Sequence, residues 1–205
     1  MPTYNSKRLL RELQEQTENF LQEAISEWQL MPAEVLLKQP AADKWSAAQC
    51  IEHLNNYGRY YLPAIENAIE ASKKKGQQPS ASFTAGWLGN YFTNLMKPSD
   101  KMKKMAAPKD HTPIANPDVA KVVAEFIDQQ EKMLKLLDEA KLINLNNTTV
   151  AISIAKFIKL KLGDVFLFLL AHNERHILQA ERALGSRNWE IGSGKFKSQK
   201  SKVKI

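Results

Sequence analysis

The stretch Leu169-Leu-Ala-His-Asn-Glu-Arg-His-Ile-Leu-Gln179 places two histidines, His172 and His176, four residues apart inside a long apolar segment. Residues that are three or four positions apart lie on the same face of an α-helix. One face of the predicted helix therefore presents Val165, Leu169, His172, His176 and Gln179. A largely apolar stripe of this kind is the face that a helix turns to a protein core. The pattern predicts a helix that brings two imidazoles to the core.

A third histidine, His53, lies in the segment Cys50-Ile-Glu-His-Leu54 of an earlier predicted helix. Three neutral imidazoles suit a zinc-like ion, because catalytic sites commonly use three protein ligands and keep one open position. Buried imidazoles without any partner would cost free energy. Two interpretations remain open from these residues. The histidines either share a metal ion, or they form hydrogen bonds in the core or line a wet groove.

The composition is that of a helical globular protein. The chain has 205 residues, of which 43% are hydrophobic, 25% are charged and only eight are glycine. This length suits one domain with its own core, and the abundance of good helix formers predicts an all-α fold. Apolar runs stay below the roughly 18 residues of a membrane span, and no signal peptide is recognised. The single cysteine fits a reducing environment, so a cytoplasmic protein without a membrane partner is expected.

The net charge of +7 is concentrated at the C-terminal end. From Gly185 onward the chain holds six basic residues and one acidic residue, which account for five of the seven positive charges. We therefore predict a domain over residues 1–184 and a basic, flexible tail over residues 185–205. Because the domain itself carries little net charge, nucleic-acid binding is not expected.

Hydrophobic periodicity predicts four long helices, Ser6–Trp28, Trp45–Ser72, Pro117–Ala140 and Leu162–Leu184. Shorter helices are predicted over residues 33–38 and 83–96. Residues 150–154 alternate like a strand, whereas residues 155–160 also fit a helix. Ser46 is the predicted N-cap of the second long helix, but no acid follows it at the third position to complete a capping box.

The connection between the second and third long helices is unusually long. Residues 73–116 far exceed what an antiparallel helical hairpin needs. A crossover of this length allows those two helices to run parallel.

Three features together resemble the DinB-like superfamily of metal-binding bundles. Trp45-Ser46 opens a helix that contains His53, a Pro108-Lys109 segment follows in the long central connection, and Gly163-Asp164 precedes the two C-terminal histidines. The resemblance covers roughly residues 6–184. It implies a four-helix bundle with up-down-down-up topology and a metal site formed by His53, His172 and His176. Characterised relatives include metal-dependent transferases and isomerases that use low-molecular-weight thiols such as bacillithiol and mycothiol.

The implied chemistry leaves two functions open. A divalent ion held by three neutral histidines keeps its full charge, so it can activate a water molecule or a small thiol. This predicts a metal-dependent enzyme, such as a thiol-dependent S-transferase or a hydrolase, acting on a small-molecule substrate. The alternative is a non-catalytic or degenerate bundle that acts in stress response or through protein contacts. A homodimer is compatible with either function, and the ion can be zinc, nickel, iron or manganese.

The predicted substrate pocket contains Cys50, Asn56, Tyr57 and Gln179, and no catalytic residue is assigned. Each has a structural alternative. Cys50 is more often a small buried hydrophobic residue, Tyr57 fits core packing, and Gln179 can orient a histidine instead of touching substrate.

Residues beside the pocket are assigned mainly to the surface. Glu174 is predicted to be exposed, and Arg175 to form a surface ion pair rather than to bind a carboxylate. His111 is predicted to be a surface residue of a loop rich in lysine and proline. An aromatic group, Trp87, Tyr91 and Phe92, is predicted to form a satellite cluster at one end of the bundle, or alternatively a lid.

Overall fold

The computed structural model describes residues 1–98 and 106–185. Within them it contains six α-helices: α1 Ser6–Ser26, α2 Ala33–Leu37, α3 Ala47–Lys74, α4 Trp87–Met96, α5 Val119–Glu139 and α6 Leu162–Ala183. The four long helices predicted from periodicity are α1, α3, α5 and α6. The mostly helical character is confirmed, and the predicted tail beyond residue 185 lies outside the described residues.

Capping side chains at the N-termini explain where the helices begin. Asn5 caps α1 by accepting a hydrogen bond from the Arg8 backbone at 3.0 Å. At the start of α3, Ser46 accepts from the Gln49 backbone while Gln49 Oε1 accepts from the Ser46 backbone at 3.0 Å. The capping box is therefore complete, and its predicted absence was wrong, because glutamine serves as well as an acid at the third position.

The third long helix begins slightly later than predicted. Asp118 caps α5 by accepting from the Lys121 backbone at 3.2 Å, so Pro117 lies just before the helix rather than in its first turn. At the other end of the fold, Gly185 follows α6 with a φ of 69°. Glycine tolerates this left-handed conformation without steric cost, which explains the stop.

Two small antiparallel sheets accompany the helices. Strand β1 (Thr3–Asn5) pairs with β2 (Ser82–Thr84), so the beginning of the segment predicted as a helix over residues 83–96 is a strand. Strand β3 (Thr149–Ile152) pairs with β4 (Ala155–Lys161). The helical alternative for residues 155–160 was wrong, because pairing with the neighbouring strand satisfies their backbone groups.

One hydrophobic core joins the long helices. α3 contacts α5 and α6, α1 also contacts both α5 and α6, and α4 packs on α6. The largest fully buried side chains are aromatic or aliphatic and include Phe20, Trp28, Ile65, Phe126 and Phe166. This core fixes α3 beside α6, which are the two helices that carry the predicted ligands. Within residues 1–98 and 106–185, no helix is long and apolar enough to cross a membrane.

Candidate metal centre

The structure brings His53 of α3 together with His172 and His176 of α6. One nitrogen from each ring lies within 4.8 Å of the others. The ring centroids are 4.5 to 5.0 Å apart in every pair. His53 and His172 are only 2% exposed, whereas His176 is partly exposed. The three side chains predicted to be ligands therefore form one compact cluster between two helices.

The nitrogen geometry fits a metal ion. Nε2 of His53 and Nε2 of His172 are 3.2 Å apart. Two ligands on a tetrahedral ion, each about 2.0–2.1 Å from it, have nitrogens separated by about 3.3 Å. The donor set of three imidazoles is also one that zinc-like ions accept. The residues present therefore fit a divalent ion.

Hydrogen bonds on the opposite ring edges hold two of these histidines. His53 Nδ1 donates to the backbone carbonyl of His111 at 2.6 Å, and His176 Nδ1 donates to Gln179 Oε1 at 3.0 Å. A carbonyl oxygen only accepts, so Nδ1 carries the proton in both rings. The Nε2 lone pairs are then left for an ion, which is the usual arrangement around metal-binding histidines. The predicted orienting role of Gln179 matches this contact.

His111 lies beside the cluster and not on the surface. It is 4% exposed, its ring stacks on Tyr57 at 4.0 Å between centroids, and its Nε2 lies 2.8 Å from Ser153 Oγ. The prediction of a surface residue was wrong, because the β3–β4 hairpin packs over this loop and supplies Ser153. The only available signal was the Pro108-Lys109 segment, which opens the turn that ends at His111. Nothing in the sequence around Ser153 indicated that this residue would contact His111.

Burial keeps all three imidazoles neutral. It lowers the pKa of His53 to about 4 and that of His176 to about 3. The pKa of His172 lies well below its ordinary value, first through burial and then through the charges of the other two histidines. Neutral imidazole is the form that binds metals. The cluster is therefore ready to bind an ion at neutral pH without losing protons.

His172 has one nitrogen without a protein partner. Among the described residues, nothing hydrogen-bonds to its buried Nδ1. A hydrogen bond between the facing Nε2 atoms of His53 and His172 satisfies that pair without an ion. That hydrogen bond does not explain the position of His176, because its ring is equally close to the rings of His53 and His172. A shared ion bound through the Nε2 atoms accounts for the convergence of all three rings, whereas Nδ1 of His172 stays without a protein partner.

A cavity of about 490 Å³ opens onto the cluster. Its volume is in the range of small-molecule sites. Trp45 forms one wall, with its ring 5.0 Å from His53 between centroids, and Tyr57 forms another, with its ring 4.2 Å from His172. Burial is the largest cause that raises the pKa of Tyr57 to about 12, so its hydroxyl stays protonated. The cavity wall therefore combines aromatic surface with hydroxyl and imidazole groups.

The structure separates the four residues of the predicted pocket into two pairs. Tyr57 and Gln179 line the cavity. Cys50 is fully buried in the hydrophobic core, where burial raises the pKa of its thiol. Asn56 lies outside the cavity lining and accepts a hydrogen bond from Arg59 at 2.7 Å. Cys50 thus serves the packing of α3 and Asn56 belongs to the hydrogen bonds around Arg59, although the sequence placed both near His53.

Two neighbours on α6 differ from their surface assignments. Glu174 is half-buried rather than exposed, and it accepts a hydrogen bond from Gln16 at 3.4 Å. Burial is the largest cause that raises its pKa. Arg175 is also half-buried, and it lines the cavity.

The aromatic group of α4 is not a closed cluster. Trp87 is 69% exposed and Tyr91 is 55% exposed, whereas Phe92 packs towards Phe168 at 6.3 Å between ring centroids. None of the three lines the described part of the cavity. The lid interpretation has no support from this placement.

Comparison with known proteins agrees with this arrangement. A family model of the DinB superfamily matches residues 8–180, which include all three clustered histidines. No curated protein and no solved structure matches the chain significantly. The match extends over far more than half of the sequence and confirms the resemblance inferred from the histidine spacing. This protein belongs to the DinB superfamily.

Proposed function

We propose that this protein binds one divalent metal ion through His53, His172 and His176 and acts as a metal-dependent enzyme on a small molecule. The observation that carries the proposal is the compact cluster of three neutral imidazoles at the base of a 490 Å³ cavity. We further propose a four-helix bundle with up-down-down-up topology, which the neighbouring positions of α1, α5, α3 and α6 support.

The chemistry we favour is transfer of a small thiol to an electrophile. When bound, a divalent ion supplies Lewis acidity that lowers the pKa of a thiol or water ligand. In the transfer, a carbon–sulfur bond forms, the thiol proton goes to solvent and the leaving group departs with its electron pair. Tyr57 and Trp45 enclose the reacting groups, and the protonated Tyr57 hydroxyl can donate a hydrogen bond to the leaving group. Hydrolysis by an activated water is the second reaction that this cavity can accommodate.

A non-catalytic bundle remains the second candidate function. The facing Nε2 atoms of His53 and His172 favour it, because one hydrogen bond at 3.2 Å can satisfy both of these nitrogens without an ion. In that case the buried histidines contribute to packing, and the protein acts through contacts with other proteins. The homodimer and the cytoplasmic location stay predictions under either function.

Elemental analysis of untagged protein tests the metal. We expect about one divalent ion per chain in the wild type and loss of that ion in His172→Ala. Cys50→Ala is the matched control, because a buried thiol away from the cavity should leave the metal content unchanged. A wild type that neither contains a metal nor takes up zinc, nickel or manganese on titration would overturn the proposal.

Turnover separates the two functions. We expect conjugation of a generic electrophile such as chlorodinitrobenzene by small thiols, and its loss in His53→Ala. Circular dichroism on the same samples shows whether the variant folds. Metal-loaded wild type without conjugation or ester hydrolysis across a panel of thiols and esters would favour the non-catalytic bundle.

A further inference from the structure

The cavity beside the histidines is lined by more basic than acidic side chains. Its described lining holds three cationic residues, Lys44, Arg175 and Arg182, against one acid, Asp43. A metal-binding imidazole carries no negative charge, so the three histidines cancel none of the charge that a divalent ion brings. The loaded cavity would then carry several positive charges in a partly desolvated space. Such a site raises the local concentration of anions.

The basic groups follow a regular pattern on α6. His172, Arg175, Gln179 and Arg182 recur at steps of three and four, and all four line the cavity. This spacing puts them on one face of the helix. The two arginines therefore extend along the cavity from the histidine cluster at its base. The histidine cluster and both guanidinium groups therefore belong to one cavity lining.

Arg175 is the best placed of the three cations. It is half-buried, whereas Lys44 and Arg182 are exposed. Its Nη1 donates to the backbone carbonyl of Leu95 at 3.4 Å, which holds the side chain between α6 and α4. Arg175 directly precedes His176 in α6, and both residues line the cavity. A guanidinium this close to the cluster can pair with a carboxylate through two parallel hydrogen bonds.

We propose that the cavity selects an anionic small molecule, with Arg175 as the principal contact for its negatively charged group and Lys44 and Arg182 as secondary contacts. This inference rests on the proposed function and narrows its substrate class. Exposed Lys44 and Arg182 alone are ordinary solvated side chains. The half-buried Arg175 beside the histidine cluster is what distinguishes the cavity from a generally basic surface.

A series of two-carbon thiols tests the proposal. Mercaptoacetate, mercaptoethanol and cysteamine are similar in size and differ in charge. Binding to the cobalt-loaded protein is followed by the thiolate-to-cobalt absorption band. We expect mercaptoacetate to bind at least about tenfold more tightly than mercaptoethanol, and cysteamine to bind most weakly.

Substitutions of Arg175 test whether this residue causes the preference for mercaptoacetate. In Arg175→Gln the advantage of mercaptoacetate over mercaptoethanol should fall by about tenfold, whereas Arg175→Lys should retain part of it. Arg11→Gln makes the same chemical change at an exposed position of α1 outside the cavity and should retain all of it. Arg175→Lys also keeps the test valid if the glutamine variant does not fold. An advantage that is unchanged in Arg175→Gln would overturn the proposal, because it would then come from chelation by the metal.

Metal content measured on the same samples separates this inference from the proposed function. Cobalt-loaded protein that binds the three thiols equally, or binds none of them, would overturn the inference while the metal site stands. Protein that takes up no metal would overturn the proposed function. In that case, calorimetry of the metal-free protein with mercaptoacetate tests the inference. Binding that is lost in Arg175→Gln would support an anion site at Arg175. The absence of binding would overturn it.

Discussion

Two polar clusters share helix α3 and are built in opposite ways. Arg59 lies between two carboxylates: it donates to Glu52 at 2.9 Å and to Glu125 at 2.7 Å. Hydrogen bonds to Glu125 and Glu52 raise the pKa of Arg59, so its charge is firmly held. The charged side chains of this cluster pair with one another and tie α3 to α5.

The histidine cluster begins only six residues earlier on the same helix, at His53. It is more deeply buried and contains no carboxylate, and burial shifts its pKa values towards the neutral form. One nitrogen from each ring faces the other two rings within 4.8 Å, and no oppositely charged group closes the cluster in the described part of the chain. A polar cluster that closes on itself stabilises a fold, whereas one that leaves coordination capacity open invites a ligand.

The largest expected effect is loss of metal affinity when a histidine is removed. His176→Ala should weaken zinc binding by about 100- to 1,000-fold, because structural zinc sites gain ~10–16 kcal/mol from about four ligands, or roughly 2.5–4 kcal/mol for each ligand. Arg59→Gln alters the other cluster and should leave the affinity within about threefold. Competition titration against a fluorescent chelator measures both. Equal losses in the two variants would show that general destabilisation explains the effect.

The next effect is the pH dependence of stability in the metal-free protein. Burial lowers the pKa of His53 to about 4, so the unfolded chain, with a pKa near 6.5, binds more protons between these values. The free energy of unfolding should therefore fall by about 3 kcal/mol as the pH drops from 6.5 to 4. Urea denaturation across this range should show a shallower decline in His53→Gln. A decline of unchanged slope would assign it to other groups.

A smaller effect is expected from the hydrogen bonds that orient the ligands. Gln179→Ala removes the acceptor for His176 Nδ1 and should weaken zinc binding by about 10–100-fold. Gln78→Ala makes the same change at an exposed position and should have no effect. The chelator titration reports both variants. If Gln179→Ala binds zinc like the wild type, the hydrogen bond does not fix the ring.

The smallest effect concerns the closed cluster itself. Arg59→Gln should lower the free energy of unfolding by about 1–2 kcal/mol, because Glu52 is nearly buried and loses its partner. The exposed pair Arg8–Glu12 gives the comparison, and Arg8→Gln should cost much less, because solvent screens surface ion pairs. Urea denaturation at neutral pH measures the difference. Equal costs would mean that the Arg59 cluster is an ordinary surface network.

Local spacing in the sequence was enough to predict the long helices and the pairing of His172 with His176. The addition of His53 to this pair came from the family resemblance. Apolar side chains at steps of three and four must share a face, and the four-residue separation of His172 and His176 puts their rings side by side in any helix. Asn5 and Ser46 start their helices for an equally local reason, since a short polar side chain reaches the first free backbone N–H groups.

The residues that surround the histidine cluster come from distant parts of the chain, so they became visible only in the folded structure. The contact from His53 to the His111 carbonyl joins residues 58 positions apart, and the β1–β2 pairing joins residues 81 positions apart. Local periodicity contains no information about such partners. Cys50 and Arg175 show the same limit, because both lie near the histidines in the sequence. The packing of α3, α4 and α6 buries Cys50 in the core and leaves Arg175 in the cavity lining.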